Sequence, residues 1–396
     1  MRTLISALIC ISFSPFIFSQ QLPDFYSFSD DVRKEIDRDS TPIKYQKGAA
    51  LYSFIENYPA ALETWDRATR ARIYQAAPED SLTLKNFTAR NAREYILDRS
   101  KNEQILIINE AHHNARHRAF TRSLLAELYK NGYRHLGLEA LDDEEINNRN
   151  YAVKESGFYT NEPEFGNLIH EARKIGFTVF GYEASEWNNA KEREIEQAQY
   201  IHQFMQQHPE GKTIIHCGFD HVYEGEVSNW EKAMAGRLKE FTGIDPFTID
   251  QVRLTEKSKP EYSHYFITHT QQQAPFILVN NEDIFNGYRS PKQTDIMVIH
   301  PLTRYEEGRP DWLKEGKKAY RIPKNRLNNY EYPLQVLAFR AGEYEQEGIP
   351  ADVIEIPSKE AQQPLFLLPG TYKVIVRNKK YEIQEMIHVK IKQKRE

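Results

Sequence analysis

From residue 104 onward, short apolar runs alternate with longer stretches of helical periodicity, and the apolar runs end on residues able to do chemistry. The first run is Gln104-Ile105-Leu106-Ile107-Ile108, and it opens into Asn109-Glu110-Ala111-His112-His113-Asn114. An apolar run without polar alternation is the mark of a strand buried on both faces, as in a parallel sheet. A helix is expected next, with Phe120, Leu124, Leu125 and Leu128 on one face and Asn131-Gly132 as its stop, because glycine supplies the left-handed cap. Arg134 to Leu138 reads as the second strand and ends at Glu139. A helix over 164–174 then leads through Gly176 to a third strand, Phe177 to Gly181, ending at Tyr182-Glu183. A long polar helix over about 188–207 precedes a fourth strand, Lys212 to His216, which ends at Cys217-Gly218-Phe219-Asp220-His221. A helix over 228–241 follows, with Phe247 to Val252 as a fifth strand and Pro275 to Val279 as a sixth.

Alternation of this kind specifies an α/β fold, a mostly parallel sheet flanked by helices. Such sheets bind ligands at the carboxyl ends of their strands, where this sequence concentrates Glu110, His112, His113, Glu139, Glu183 and His221. Before this core, residues 21–45 are polar, broken by Pro23 and Pro42, and read as an extended arm. Residues 46–100 carry helical periodicity, including a helix over Asn86 to Arg99. The core is expected over 101–285, and 286–396 forms a C-terminal region. That region ends in a small all-β appendage built on Leu365-Phe366-Leu367-Leu368, Thr371 to Val376 and Ile387 to Ile391, with Pro369-Gly370 as a hairpin turn.

The first 20 residues have the outline of a secretory signal peptide: a basic start at Arg2, an apolar stretch from Leu4 to Phe18, and a polar exit at Ser19-Gln20-Gln21. Export to the periplasm or the extracellular space is therefore expected. Cys10 follows Ile9 rather than a small residue, so lipidation is not expected. The mature chain would keep Cys217 alone, which excludes an internal disulfide. No further run is long enough to span a membrane. With 52 basic and 57 acidic residues the chain has a net charge of −5, which argues against a nucleic-acid partner. A small-molecule or peptide substrate is expected instead.

A carboxylate beside imidazoles can orient a base, hold a water or bind a metal, which makes Glu110, His112 and His113 the first candidates. Arg122, nine residues past His113, offers a guanidinium for a carboxylate or an oxyanion. Glu139 and His221 complete the candidate catalytic set, with Glu183 and Asp220 in support. Glu110, His112, Glu139 and His221 would also serve as ligands for zinc or manganese, since both accept imidazole and carboxylate oxygen. His216 lies inside its strand and reads as a core histidine, and Cys217 would need a lowered pKa to act as a nucleophile.

In these residues the chain resembles the superfamily that joins erythromycin esterases, ChaN-like haem-binding proteins and Tiki/TraB-type proteins. Glu110-Ala111-His112-His113 is similar to the ChaN motif Gly-Glu-x-His followed by a second His, with Asn109 in place of the glycine. Glu110, His113, Arg122 and Glu139 fit the esterase pattern, and Leu138-Glu139-Ala140-Leu141 resembles the second-strand Glu motif. Gly218-Phe219-Asp220-His221-Val222 and Met234-Ala235-Gly236-Arg237-Leu238 resemble the segments that come later, so the likeness covers about 100–255. The esterases imply metal-free activation of water by a histidine, the Tiki proteins a metal-dependent peptidase, and ChaN haem binding. Either of His112 and His113 can be the functional histidine on these patterns. An exported hydrolase of esters or amides is the leading expectation, and a haem or small-ligand binder is the alternative.

Overall fold

The computed structural model describes residues 25–392, apart from 186–188, 228–229, 282, 289–292 and 362. Residues 1–20, where a signal peptide is expected, lie outside the described residues.

The fold is mixed α/β, centred on a six-stranded parallel sheet. Its strands are β1 (Ile105–Glu110), β2 (Tyr133–Leu138), β3 (Thr178–Gly181), β4 (Lys212–Gly218), β5 (Phe247–Asp250) and β6 (Ile296–Met297). In space they lie in the order β6-β5-β1-β4-β2-β3, all parallel. Every residue of β1 is buried. Leu106 and Ile108 face a core with Leu124, Leu125 and Leu128 of the Ala115–Lys130 helix, while Ile105 and Ile107 face Ala198, Ile201 and Leu238 on the other side. That two-sided burial is what an unbroken apolar run requires of a central strand.

Local signals set the helix boundaries. The Pro163–Ile175 helix starts with Glu162 capping the Phe165 amide at 2.9 Å and stops at Gly176, whose φ of +115° suits glycine. The Ala190–Gln207 helix is capped by Asn189. The helix expected over 228–241 begins only at Met234, because Glu226–Val227 and Glu231–Lys232 form a small hairpin ahead of it. Phe276–Asn280 is a strand but not the sixth of the parallel sheet. It pairs antiparallel with Thr88–Asn91 and Asp283–Ile284, and β6 takes the edge position instead. Asn86 to Arg99 is likewise not one helix: Thr88–Asn91 is strand and Ala92–Arg99 is helix, with Asn91 as its cap.

A four-stranded antiparallel sheet follows, made of β7 (Leu334–Arg340), β8 (Asp352–Ile356), β9 (Gly370–Arg377) and β10 (Ile383–Ile391), in the order β8-β7-β9-β10. The central strand β7 had no counterpart in the sequence reading. Pro369-Gly370 does not turn a hairpin either, since Leu365–Leu367 pairs with Lys318–Tyr320 and the hairpin is β9–β10. One face of this sheet packs Leu337, Phe339, Val353 and Ile375 against Phe25, Val32, Ile36, Leu51, Phe54 and Ile55. The expected extended arm is therefore a folded helix, Ser29–Arg38, seated with the Lys44–Phe54 helix on the C-terminal sheet. Arg309, buried between Glu56 and Asp352, ties the two together. The same packing hangs Lys44–Phe54 and Tyr58–Thr69 over the carboxyl edge of the parallel sheet. Among the described residues, no helix is long and apolar enough to cross a membrane.

Candidate active site

Strand β1 ends on Glu110, in register with Gly218 of β4. Glu110 is the centre of a buried cluster. Oε1 meets Nδ1 of His112 at 2.8 Å and Nη2 of Arg118 at 2.7 Å, while Oε2 accepts from Arg118 Nε and lies 3.1 Å from Nε2 of His216. Burial would raise the Glu110 pKa, but Arg118, His112 and His216 hold it well below the carboxylate range. An ionised carboxylate only accepts hydrogen bonds. His112 therefore donates from Nδ1 to Glu110.

Glu139, one residue beyond β2, is the second buried carboxylate. Oε2 accepts the Gly218 amide and Oε1 meets Arg193 Nη2 at 2.7 Å. Against the effect of burial, His221, His112 and Arg193 bring its pKa down to about 2. His221 comes from the turn after β4. Its Nδ1 lies 2.8 Å from the Glu194 carboxylate, and its Nε2 lies 3.0 Å from Arg193 Nη1 and 3.5 Å from Glu139 Oε1. Burial opposes charge on this ring, yet Glu139 and Glu194 together raise its pKa above the ordinary histidine value. The neutral ring can accept from Arg193 through Nε2, and the protonated ring can donate to Glu139. The site thus holds two imidazoles, each with Nδ1 against a buried carboxylate, and the His221 ring is favoured in its protonated form.

His112, Glu139, Arg193 and His221 line a cavity of about 800 Å³ with His113, Glu183, Asp220 and five aromatic residues: Trp65, Phe158, Tyr159, Phe219 and Trp230. His112 stacks on Tyr159 at 3.9 Å, His113 on Trp65 at 4.1 Å and His221 on Trp230 at 4.9 Å. Phe219 holds a φ of +42°, which a bulky residue adopts only under constraint. Asn109 supplies that constraint by donating from Nδ2 to the Phe219 carbonyl at 2.8 Å and to Asp250 Oδ1 at 3.0 Å. A glycine at 109 could not do this.

The cavity brings together His112, His113, Glu139, Glu183, Asp220 and His221, with Glu110 directly behind His112. Glu183 supports the site by holding Arg193 Nε at 2.9 Å and Gln197 Nε2 at 2.9 Å. Arg122 is a correction. It lies off the cavity, with Nε 3.4 Å from Glu164 and Nη2 3.3 Å from the Glu315 carbonyl, and the guanidinium that reaches Glu110 is Arg118, one helical turn earlier. His216 is buried as expected and contacts Glu110. His113 is also buried, and burial together with nearby Lys257 pushes its pKa well down, so it is a neutral ring. Burial and the surrounding carboxylates push the buried Cys217 thiol up, the opposite of what a nucleophile needs. Sequence reading missed Arg193 and Glu194, which sit near the start of a helix noted only as polar, and it gave no signal for the aromatic walls.

The metal-ligand set Glu110, His112, Glu139 and His221 does not fit zinc or manganese. Arg118 and Arg193 occupy the two carboxylates that would have to ligate it. Among the described residues, no three His, Cys, Asp or Glu side chains gather around a common point able to hold a metal.

No protein-family profile and no curated protein matches the chain. Solved structures similar to parts of it include the type III effector HopBA1, at 12% identity and a TM-score of 0.33, covering 45% of this chain and 94% of that one. A structure titled bacterial protein toxins has 14% identity and a TM-score of 0.31, covering 57% and 53%. RRSP, a MARTX toxin effector domain from Vibrio vulnificus, has 15% identity and a TM-score of 0.31, covering 59% and 51%. The chain spans about half the length of the latter two.

Proposed function

We propose that this protein is an exported hydrolase of ester or amide bonds, of the erythromycin esterase, ChaN and Tiki type, working through side-chain acid–base chemistry rather than a bound metal. The observation that carries the reading is the pair of carboxylate-held imidazoles at one cavity. Glu110 lies 2.8 Å from Nδ1 of His112, and Glu194 lies 2.8 Å from Nδ1 of His221. His112 Nε2 takes a proton from water as the water oxygen bonds to the substrate carbonyl carbon. His221 gives its Nε2 proton to the alcohol or amine as the bond to that carbon breaks, and solvent resets both rings. Arg193 and Glu139 steady His221, and Arg118 and His216 fix Glu110.

The test is a panel of esters and peptide amides assayed with wild type, His112→Ala and His221→Ala, with and without exhaustive chelation. Turnover that survives chelation and drops by about 10²–10⁴ in either variant is expected, the usual contribution of a positioned acid or base. Loss on chelation, or an unaffected His112→Ala, would sink the mechanism. The aromatic walls favour one second reading, a binding protein for a flat ligand such as haem, with His113 or Tyr159 as the donor to iron. A Soret shift on haem titration, with no turnover on the panel, is its signature.

A further inference from the structure

The cavity walls carry more apolar ring surface than acid–base chemistry needs. Trp65, Tyr159 and Trp230 remain half-buried and Phe158 is 39% exposed, all of them lining the cavity. Core aromatics lose their exposure on folding, whereas these keep theirs toward one concave space. Ile43, 58% exposed, adds an apolar lip. Large apolar surface gathered in a cleft of this size is the usual mark of a ligand site. Three of the rings also lean on the three site imidazoles, so a group that stacks on them lies beside the reacting centre.

The charges narrow the ligand further. Among the described residues, the lysine and the arginine that line the cavity are paired with carboxylates: Lys47 with Glu35 at 3.1 Å, and Arg193 with Glu139 at 2.7 Å. Asp220 stands exposed on the same wall. Nothing in that arrangement favours an anionic substrate.

We propose that Trp65 and Trp230 form a ring-selecting subsite, so that the substrate is an uncharged acyl compound carrying an aromatic ring within a few bonds of the scissile carbonyl. This rests on the hydrolase reading above. The ring could belong to a small ester or to a phenylalanyl peptide, which share this chemistry.

The experiment compares N-acetyl-phenylalanine methyl ester with its cyclohexylalanine counterpart, which matches it in bulk but has no π-face. A phenylalanyl peptide amide and a 4-carboxyphenylalanine ester form the other kinetic arms. Calorimetry with N-acetyl-phenylalaninol and its cyclohexyl analogue, which have no bond to cut, runs alongside. Aromatic pairing is worth about 0.5–1.5 kcal/mol beyond area, so a KM or Kd advantage of roughly three- to tenfold for the phenyl compounds is expected. It should vanish in Trp65→Ala and Trp230→Ala, survive in Trp65→Phe, and reverse for the carboxylated ester. Cleavage of the methyl ester but not the peptide would assign the ring to a small molecule, and the converse to a peptide. Equal phenyl and cyclohexyl values, or a preference that outlasts both alanine variants, would overturn the proposal. If no ester or peptide turns over but the phenylalaninol preference holds, the hydrolase reading fails and the ring subsite stands.

Discussion

The Glu194 carboxylate stands 2.8 Å from Nδ1 of His221, directed there from the fifth residue of a helix that begins at Ala190. The same carboxylate accepts the Met234 amide at 2.7 Å, so its position is fixed independently of the histidine. Glu194 and Glu139 raise the His221 pKa, and the imidazolium is the proton donor in the proposed reaction.

Glu194→Gln is therefore expected to lower kcat by about 10- to 100-fold with KM little changed, since only the protonation step is affected. The sign of the pH effect follows from the raised pKa. Activity that needs protonated His221 is lost as pH rises through its folded pKa, and removing the Glu194 charge lowers that pKa. The basic limb of the kcat–pH profile should then move to lower pH. An unmoved limb would show that His221 is not the acid.

Gly218 sits where two functional groups converge. A Cβ built there would lie 2.5 Å from His112 Cε1, 2.6 Å from His112 Nε2 and 3.2 Å from Glu139 Oε2. Its φ of −81° is open to any residue, so the need for glycine is close approach and not backbone freedom. Gly218→Ala should leave the protein folded, lower its melting temperature by only a few degrees, and reduce turnover by on the order of 10²-fold through displacement of His112. Near-normal turnover in a folded Gly218→Ala protein would remove His112 from the mechanism.

The parallel core was legible because β1 and β4 are apolar runs that only a doubly covered sheet accommodates, and because the acidic and histidine residues mark the strand ends. What escaped was set by contacts distant in sequence. β7 was not picked out from the C-terminal region, and it owes its place to neighbours on both sides and to the N-terminal segment about 300 residues away, as in the hydrogen bond from Gln335 to the Ser27 carbonyl. Arg118 and Arg122 lie one turn apart on the same helix, and no local signal separates them. The difference arises because Glu110 faces one and Glu164 the other. The aromatic walls come from four separate segments, so no window of sequence shows them as a set.

That distinction between the two arginines is measurable. Arg118 is fully buried between Glu110 and Glu162, and breaking a buried pair by removing one partner costs roughly 3–5 kcal/mol. Arg118→Lys keeps the charge but loses the fork, so the Glu110 pKa rises and the acidic limb of the kcat/KM profile should move to higher pH with at least a tenfold loss of rate. Arg122→Ala leaves Glu164 paired with Lys317 and should cost about 1–3 kcal/mol of stability with the pH profile unchanged. Equal effects of the two substitutions on the profile would contradict the assignment.

Glu162 makes the last prediction. It is buried beside Arg118 and near Glu164, and burial is the largest influence on it, taking its pKa from an ordinary 4.5 to about 7. Its Oε1 has no hydrogen-bond partner among the described residues. A carboxyl group raised in this way binds its proton more tightly in the folded than in the unfolded chain. Stability falls as pH climbs from about 4.5 toward 7, and the full penalty is present above that. At about 1.4 kcal/mol per unit, the penalty is roughly 3 kcal/mol at pH 8. Glu162→Gln removes the titration while an amide oxygen can still cap the Phe165 amide. The difference in unfolding free energy between Glu162→Gln and wild type should therefore grow in favour of the variant between pH 5 and pH 8, as read by urea melts. A difference that stays flat across that range would mean Glu162 is already ionised at low pH, with Arg118 outweighing burial.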